Sequence, residues 1–176
     1  MSYTDHIFED YRRRVKALEA SDNPFAKGIA YIAGEYVPLH EARIPILDQG
    51  FLHSDLTYDV PAVWNGRFFR LEDHLDRFEK SCAQLRLKSP LPRQEIRDRL
   101  VEMTVKSGIR DAYVTMIVTR GLRFIRQYAP EECDNFCYLM VMPYLWVMDE
   151  ATQKNGGSAV ITRTVRRVPP GAIDPT

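Results

Sequence analysis

The sequence predicts an α+β fold, an antiparallel sheet with flanking helices. Two short turn signals, Ala33-Gly34 and Asn65-Gly66, each separate runs of strand-forming residues, as tight hairpins require. So much strand joined by short turns implies antiparallel pairing. Between the strands, Leu71, Leu75, Phe78, Cys82 and Leu85 recur at spacings of four and three and make one helical apolar stripe.

Residues 5 to 20 open the chain as a helix, with Ile7, Phe8, Tyr11, Val15 and Leu18 on one face and Arg12, Arg13 and Arg14 mostly on the other. The basic triplet is interleaved with Glu9, Asp10 and Glu19, so it reads as a solvated face and not as a nucleic-acid contact. Ser21-Asp22-Asn23-Pro24 stops this helix, because the residue before proline avoids the helical region. Strands are expected over Gly28 to Ile32 and Glu35 to Leu39. An extended piece follows from Ile44 to Asp48, closed by Gly50, then a strand over Thr57 to Trp64 with Arg67 to Arg70 as its return. After the striped helix, Pro92 starts a second one that runs to Lys106 and is closed by Gly108. Tyr113 to Thr119 and Cys137 to Trp146 are β-branched and aromatic enough to be strands. Between them a loop from Gly121 to Asn135, with Arg120, Arg123 and Arg126 at its start, is long for a compact domain, a common sign of function.

These elements divide the chain into an N-terminal domain over 1–146, a polar linker over 147–157, and the start of a second domain over 158–176. That last segment opens with a strand from Ser158 to Val165 and continues as a proline-rich loop. The 176 residues suffice to bury about 70% of the unfolded surface without disulfide or metal. Lys plus Arg equals Asp plus Glu at 24 each, so no net field attracts nucleic acid or an anionic membrane. The longest apolar run, Cys137 to Met148, is too short to span a bilayer and contains Pro143. Cys82, Cys133 and Cys137 make neither an even disulfide framework nor a metal-ligand spacing. The expectation is therefore no metal and a reducing, cytoplasmic compartment.

Chemistry concentrates between Phe51 and Ser81. His53, Tyr58 and Asp59 fall on a strand that leaves a loop, and His74 and Arg77 lie one turn apart near a helix start. An arginine near the first turns of a helix suits an anion such as a phosphate. The bland alternative for Arg77 is a surface ion pair with Asp73. For Tyr58 and Val60 it is strand packing, for His53 a structural histidine, and for Arg126 a solvated loop residue. Tyr113 and Thr115 share one strand face by the period-two rule. Gly-rich phosphate loops, HExxH and GxSxG are absent from the sequence.

The residues from Phe51 to Val60, together with Trp64, Gly66 to Leu71, Asp73 to Leu75 and Arg77, resemble the N-terminal half of the fold type IV pyridoxal-phosphate enzymes. Those enzymes include branched-chain and D-amino-acid aminotransferases and aminodeoxychorismate lyase. Ser21 to Ile32, Ala42 to Gly50, Lys106 to Val114, Ile117 to Leu122 and Arg163 to Thr176 sharpen the resemblance to the (R)-selective amine transaminases. The resemblance implies the small N-terminal domain of a two-domain enzyme that carries pyridoxal 5'-phosphate. It implies transfer of an amino group between an (R)-amine or D-amino acid and a 2-oxo acid or ketone, and a homodimer with its active site at the interface.

By the same resemblance Arg77 binds the cofactor phosphate, and His53, Tyr58, Val60, Tyr113 and Thr115 line the substrate pockets. Arg126 receives the 2-oxo acid carboxylate and moves aside for apolar amines. Close relatives often carry Phe and an acidic residue where Tyr113 and Thr115 stand. The Schiff-base lysine is expected just after Thr176, so this chain contains no catalytic residue and by itself is expected to be inactive. Its six lysines, Lys16, Lys27, Lys80, Lys88, Lys106 and Lys154, all sit in polar settings. Two alternatives stay open, a lyase on the same cofactor and a non-catalytic dimerisation or binding module.

Overall fold

A computed structural model describes residues 3–123 and 129–163, with side chains from Asp5 onward. One seven-stranded antiparallel sheet organises them, with strands β1 (Ile29–Ile32), β2 (Glu35–Pro38), β3 (Leu56–Asp59), β4 (Ala62–Trp64), β5 (Arg67–Phe68), β6 (Ala112–Leu122) and β7 (Asp134–Pro143). The order is β2-β1-β7-β6-β4-β5, and β3 also pairs with β6. The helices are α1 (Tyr3–Glu19), α2 (Gln49–His53), α3 (Leu71–Gln84), α4 (Arg93–Ser107) and α5 (Glu150–Asn155). Among the described residues no helix is long and apolar enough to cross a membrane. The α+β expectation therefore holds.

The two turn signals form as read. Ile32 pairs with Glu35 across Ala33 and Gly34, both at positive φ, the twist that matches a right-handed hairpin. Trp64 pairs with Arg67 across Asn65-Gly66 in the same way. The predicted strand from Thr57 to Trp64 is interrupted at Val60-Pro61, because proline brings no N–H to the ladder. Its halves, β3 and β4, pair with successive stretches of β6.

The core lies between the sheet and the layer formed by α3 and α4. Val114, Met116 and Val118 of β6, Leu139 and Val141 of β7, and Leu75, Phe78, Leu100 and Met103 of the two helices make one buried cluster. The stripe on α3 is thus the buried face. Alternate residues of β6, namely Tyr113, Thr115, Ile117 and Thr119, point to the opposite face, with Met142, Met140, Tyr138 and Phe136 beside them on β7.

Other sequence expectations need correction. Ile44 to Asp48 forms no strand, and its end makes only an isolated bridge from Asp48 to Leu122. Gly50 does not close an extended piece but lies inside α2, which Asp48 caps by accepting from the Gly50 N–H at 2.7 Å. The loop after β6 is shorter than expected, because β6 runs to Leu122 and β7 begins at Asp134. A register shift between Thr119 and Leu122 carries the strand around Gly121, which is at φ +73° and where a Cβ would meet the Asp134 carbonyl oxygen at 1.7 Å. Only glycine fits there. Within 147–157 the chain forms α5, capped by Asp149 and ion-paired to α1 through Arg12–Glu150 and Lys154–Asp5, a detail the sequence reading did not specify. Finally, Ser158 to Arg163 are irregular where a strand was expected; Thr164 and Val165 lie outside the described residues.

In the basic triplet on α1, Arg12 and Arg13 are exposed as expected, but Arg14 is less solvated than its sequence suggests. Arg14 reaches the buried carboxylate of Asp111 at 2.6 Å, and the same carboxylate accepts from the Asn65 N–H. Arg14 therefore braces α1 against the β4–β5 turn.

Candidate functional site

Helix α3 presents His74 and Arg77 one turn apart, as read, but their partner comes from the sheet. Asp59 is on the helix-facing side of β3, opposite Met116, and is 4% exposed. Its carboxylate accepts from Arg77 Nε at 2.6 Å and Nη2 at 2.8 Å, and from the Val60 N–H at 2.6 Å. His74 Nδ1 lies 2.6 Å from Oδ1. Burial pushes the Asp59 carboxyl up, but the hydrogen bonds from Arg77, His74 and Val60 outweigh it and hold the group below its ordinary value. Arg77 is raised in turn, chiefly by its hydrogen bond to Asp59. Its guanidinium still stands largely in solvent, with the side chain 62% exposed.

The surface pair read for Arg77 and Asp73 does not form, because Asp73 takes Arg70 instead. Phe69, Arg70, Asp73, His74 and Arg77 line a hollow of about 310 Å³. With Arg70 and Arg77 set against Asp59 and Asp73, the formal charge there is zero when His74 is neutral. Any anion would be held by directed N–H donors and not by a net field.

The other predicted residues sit elsewhere. Tyr58 projects from β3 on the face away from α3, opposite Ile117, and is 61% exposed. Tyr113 and Thr115 share that face on β6, half-buried and buried respectively. The register of β3 on β6, continued by one residue, sets half-buried Val60 beside Thr115. Tyr58, Val60, Tyr113 and Thr115 thus make one contiguous patch, while Arg77 lies across the strand on the helix side. His53, expected on a strand, is instead the exposed last residue of α2. Arg126 lies outside the described residues. Among the described residues no His, Cys, Asp and Glu cluster could hold a metal.

Sequence reasoning missed two buried polar hubs near these residues. Asp48, fully buried, also accepts from Thr119 Oγ1 at 2.9 Å and Tyr138 Oη at 2.6 Å. It thereby fixes α2 to the patch-bearing face, where Asp48, Phe51, Leu56, Ile117, Thr119 and Tyr138 take part in lining a cavity of about 510 Å³. Arg120, read at the start of a loop, is 6% exposed and bonded to Asp55 and to the carbonyls of Leu85 and Arg86. Both charges stand at positions where the strand and loop pattern suggested solvent, so nothing but the isolated polar letter signalled them.

The model of the amino-transferase class IV family matches residues 56–176, which include β3, α3 and the Asp59–Arg77 pair. The chain belongs to that family. A putative branched-chain-amino-acid aminotransferase of Methanocaldococcus jannaschii is 30% identical over 148 residues, covering 82% of this chain and 49% of that protein. A D-alanine aminotransferase of Listeria monocytogenes is 28% identical over 131 residues, covering 74% and 45%. The chain therefore spans about half the length of these two relatives. Among solved structures, the Escherichia coli branched-chain amino acid aminotransferase superposes with TM-score 0.61 at 14% identity, over 67% of this chain and 41% of that one. The fold is thus that of the N-terminal part of fold type IV aminotransferases. The 4-amino-4-deoxychorismate lyase of Pseudomonas aeruginosa aligns at 27% identity and TM-score 0.50, over 65% and 39%.

Proposed function

We propose that this chain is the N-terminal part of a pyridoxal-phosphate-dependent aminotransferase. The enzyme would move an amino group between an (R)-amine or D-amino acid and a 2-oxo acid or ketone. One observation carries the reading: Arg77, inside the family-matched segment, is gripped by Asp59 along one guanidinium edge while its side chain stays 62% exposed. That arrangement fits a phosphate monoester, which takes a second fork of N–H donors from a guanidinium already held in plane. When bound, pyridoxal phosphate supplies the aldehyde and electron sink through which amino groups are moved.

On this reading Arg77 holds the phosphate, and Tyr58, Val60, Tyr113 and Thr115 form a wall against which the substrate's side chain is oriented. His53 borders that wall, and Arg126 receives a substrate carboxylate. The domain division at 146 and 158 and the lysine after Thr176 belong to the same proposal. The D-alanine aminotransferase relatives support the stereochemical side of it, because D-alanine has the (R) configuration.

The homodimer is proposed from the exposed apolar residues around α2. Ile46, Leu47 and Phe51 are each more than half exposed beside His53 and Tyr58, and a second copy would cover them. The three free cysteines support a cytoplasmic location. A lyase is the second reading, favoured by the Pseudomonas aeruginosa neighbour.

The deciding experiment offers the full-length protein (R)- and (S)-aryl amines, and D- and L-alanine, each with a 2-oxo acid acceptor. Transfer from the (R) or D donor alone is expected. Transfer restricted to the (S) and L donors would overturn the stereochemical assignment, and product release without net amino transfer would favour the lyase.

A further inference from the structure

We infer that Asp59 is a positioning residue for the phosphate of the cofactor, acting through Arg77 without touching the ligand itself. The inference rests on the proposed role of Arg77 and adds what makes that role possible. An arginine on an exposed helix face samples many rotamers, so its donors are scattered before any anion arrives. Here two parallel bonds, Nε to Oδ2 at 2.6 Å and Nη2 to Oδ1 at 2.8 Å, lock the plane of the guanidinium. The acceptor is itself immobile: the Asp59 side chain is only 2% exposed, and the Val60 N–H and His74 Nδ1 hold Oδ1 from other directions.

A guanidinium carries five N–H donors. Asp59 occupies two and His74 Nδ1 lies 3.2 Å from Nη2, so the N–H groups of Nη1, on a side chain that is 62% exposed, are the donors left for an incoming anion. The carboxylate sits against the neighbouring edge, so the cation lies nearer than the anion to a phosphate at Nη1. Its repulsion of an incoming phosphate is thus screened by the cation it orients. The hydrogen bonds from Arg77, His74 and Val60 keep Asp59 ionised at neutral pH despite its burial. Replacing Asp59 by Asn removes the charge and leaves one acceptor oxygen for a two-donor fork, so one of the two bonds to Arg77 is lost and the guanidinium plane is released.

The test compares two ligands that differ only in the phosphate. In the full-length protein, pyridoxal 5'-phosphate and pyridoxal are titrated by absorbance into wild type, Asp59→Asn, Asp59→Glu, Arg77→Ala and the Asp59→Asn/Arg77→Ala double variant. Asp59→Asn is expected to weaken pyridoxal 5'-phosphate by roughly ten-fold, the loss of one oriented charge-assisted bond. Pyridoxal should change by less than about three-fold, since its binding does not use the guanidinium. In the Arg77→Ala background Asp59→Asn should add nothing for either ligand.

Equal weakening of both ligands would make Asp59 a merely structural residue, and tighter binding of the phosphorylated one would make it only a neutralising charge. Either result overturns the inference. If Arg77→Ala leaves the ratio of the two affinities unchanged, the Arg77 reading fails first. If Arg77→Ala erases the ratio and Asp59→Asn does not, Asp59 alone is at fault. Should Asp59→Asn not fold, Asp59→Glu keeps the charge but shifts the fork by one methylene. It must then show the same phosphate-selective loss, and an unchanged ratio overturns the inference.

Discussion

Replacing Arg120 with Met should cost about 3–4 kcal/mol of stability, far more than its place at the end of a strand suggests. The Arg120 side chain is 8% exposed and spends its donors on Asp55 Oδ2 at 3.0 Å and Oδ1 at 3.1 Å, the Leu85 carbonyl at 2.8 Å and the Arg86 carbonyl at 2.9 Å. Those two carbonyls lie just past the C-terminus of α3, where intrahelical partners run out and a cation is favourable. Removing one partner of a buried pair typically costs about 3–5 kcal/mol. Asp55 is 34% exposed and recovers part of its solvation, which places the pair toward the lower end. The orphaned carbonyls add up to about 1 kcal/mol between them, since α3 ends near solvent.

Arg70→Met is the internal control. It removes a pair with Asp73 whose side chains are 67% and 54% exposed, worth no more than about 0.5 kcal/mol. Urea unfolding of both variants decides the matter. With m near 2 kcal/mol per M, the Arg120 variant should lose about 1.5–2 M in midpoint and the control about 0.3 M or less. A loss for Arg120→Met no larger than the control would refute the reasoning.

Two further outcomes follow from the protonation chemistry. Asp59 titrates below its unfolded value, so its contribution to stability is complete above about pH 4 and is lost as pH falls through the depressed folded value. The difference in urea midpoint between wild type and Asp59→Asn should therefore be flat at neutral pH and shrink in acid; a difference that grows in acid would have the wrong sign. Burial pushes the Cys82 thiol up to about 11 and Cys137 to about 12, so neither is a thiolate at pH 8. Iodoacetamide on the native protein should label Cys133 first, read by peptide mass, with the other two reacting only after unfolding.

Local rules made most of the fold legible. Ala33-Gly34 and Asn65-Gly66 specify their hairpins because positive φ at two successive positions is a demand that few dipeptides meet. The α3 stripe was readable because a helix buried on one side must repeat at its own period. What escaped depends on long-range partners. Whether Arg14 is solvated is decided by Asp111, 97 positions away, and whether Arg120 is buried by Asp55, 65 positions away.

The site was legible to a similar degree. Arg77 could be singled out as a helix arginine suited to an anion. Its pairing with Asp59 and not with Asp73 could not, because strand β3 supplies the closer carboxylate. His53 was misplaced because α2 is only one turn long and is held by Asp48, whose partners Thr119 and Tyr138 are 71 and 90 positions away in sequence.

The docking of α1 has a consequence for synthesis. Tyr11 donates to the Tyr144 carbonyl across 133 positions, Arg12 pairs with Glu150 across 138, and Phe8 packs on Trp146 with ring centroids 5.2 Å apart. At roughly 5–20 residues per second, α1 leaves the ribosome some 7–30 seconds ahead of every one of these partners. A helix of 17 residues is marginal in water without a surface to cover. It must wait as a fluctuating segment with Phe8 and Tyr11 exposed while the sheet assembles beneath it. The helix that emerges early thus docks late, after the chain has been made as far as Tyr144 and Trp146.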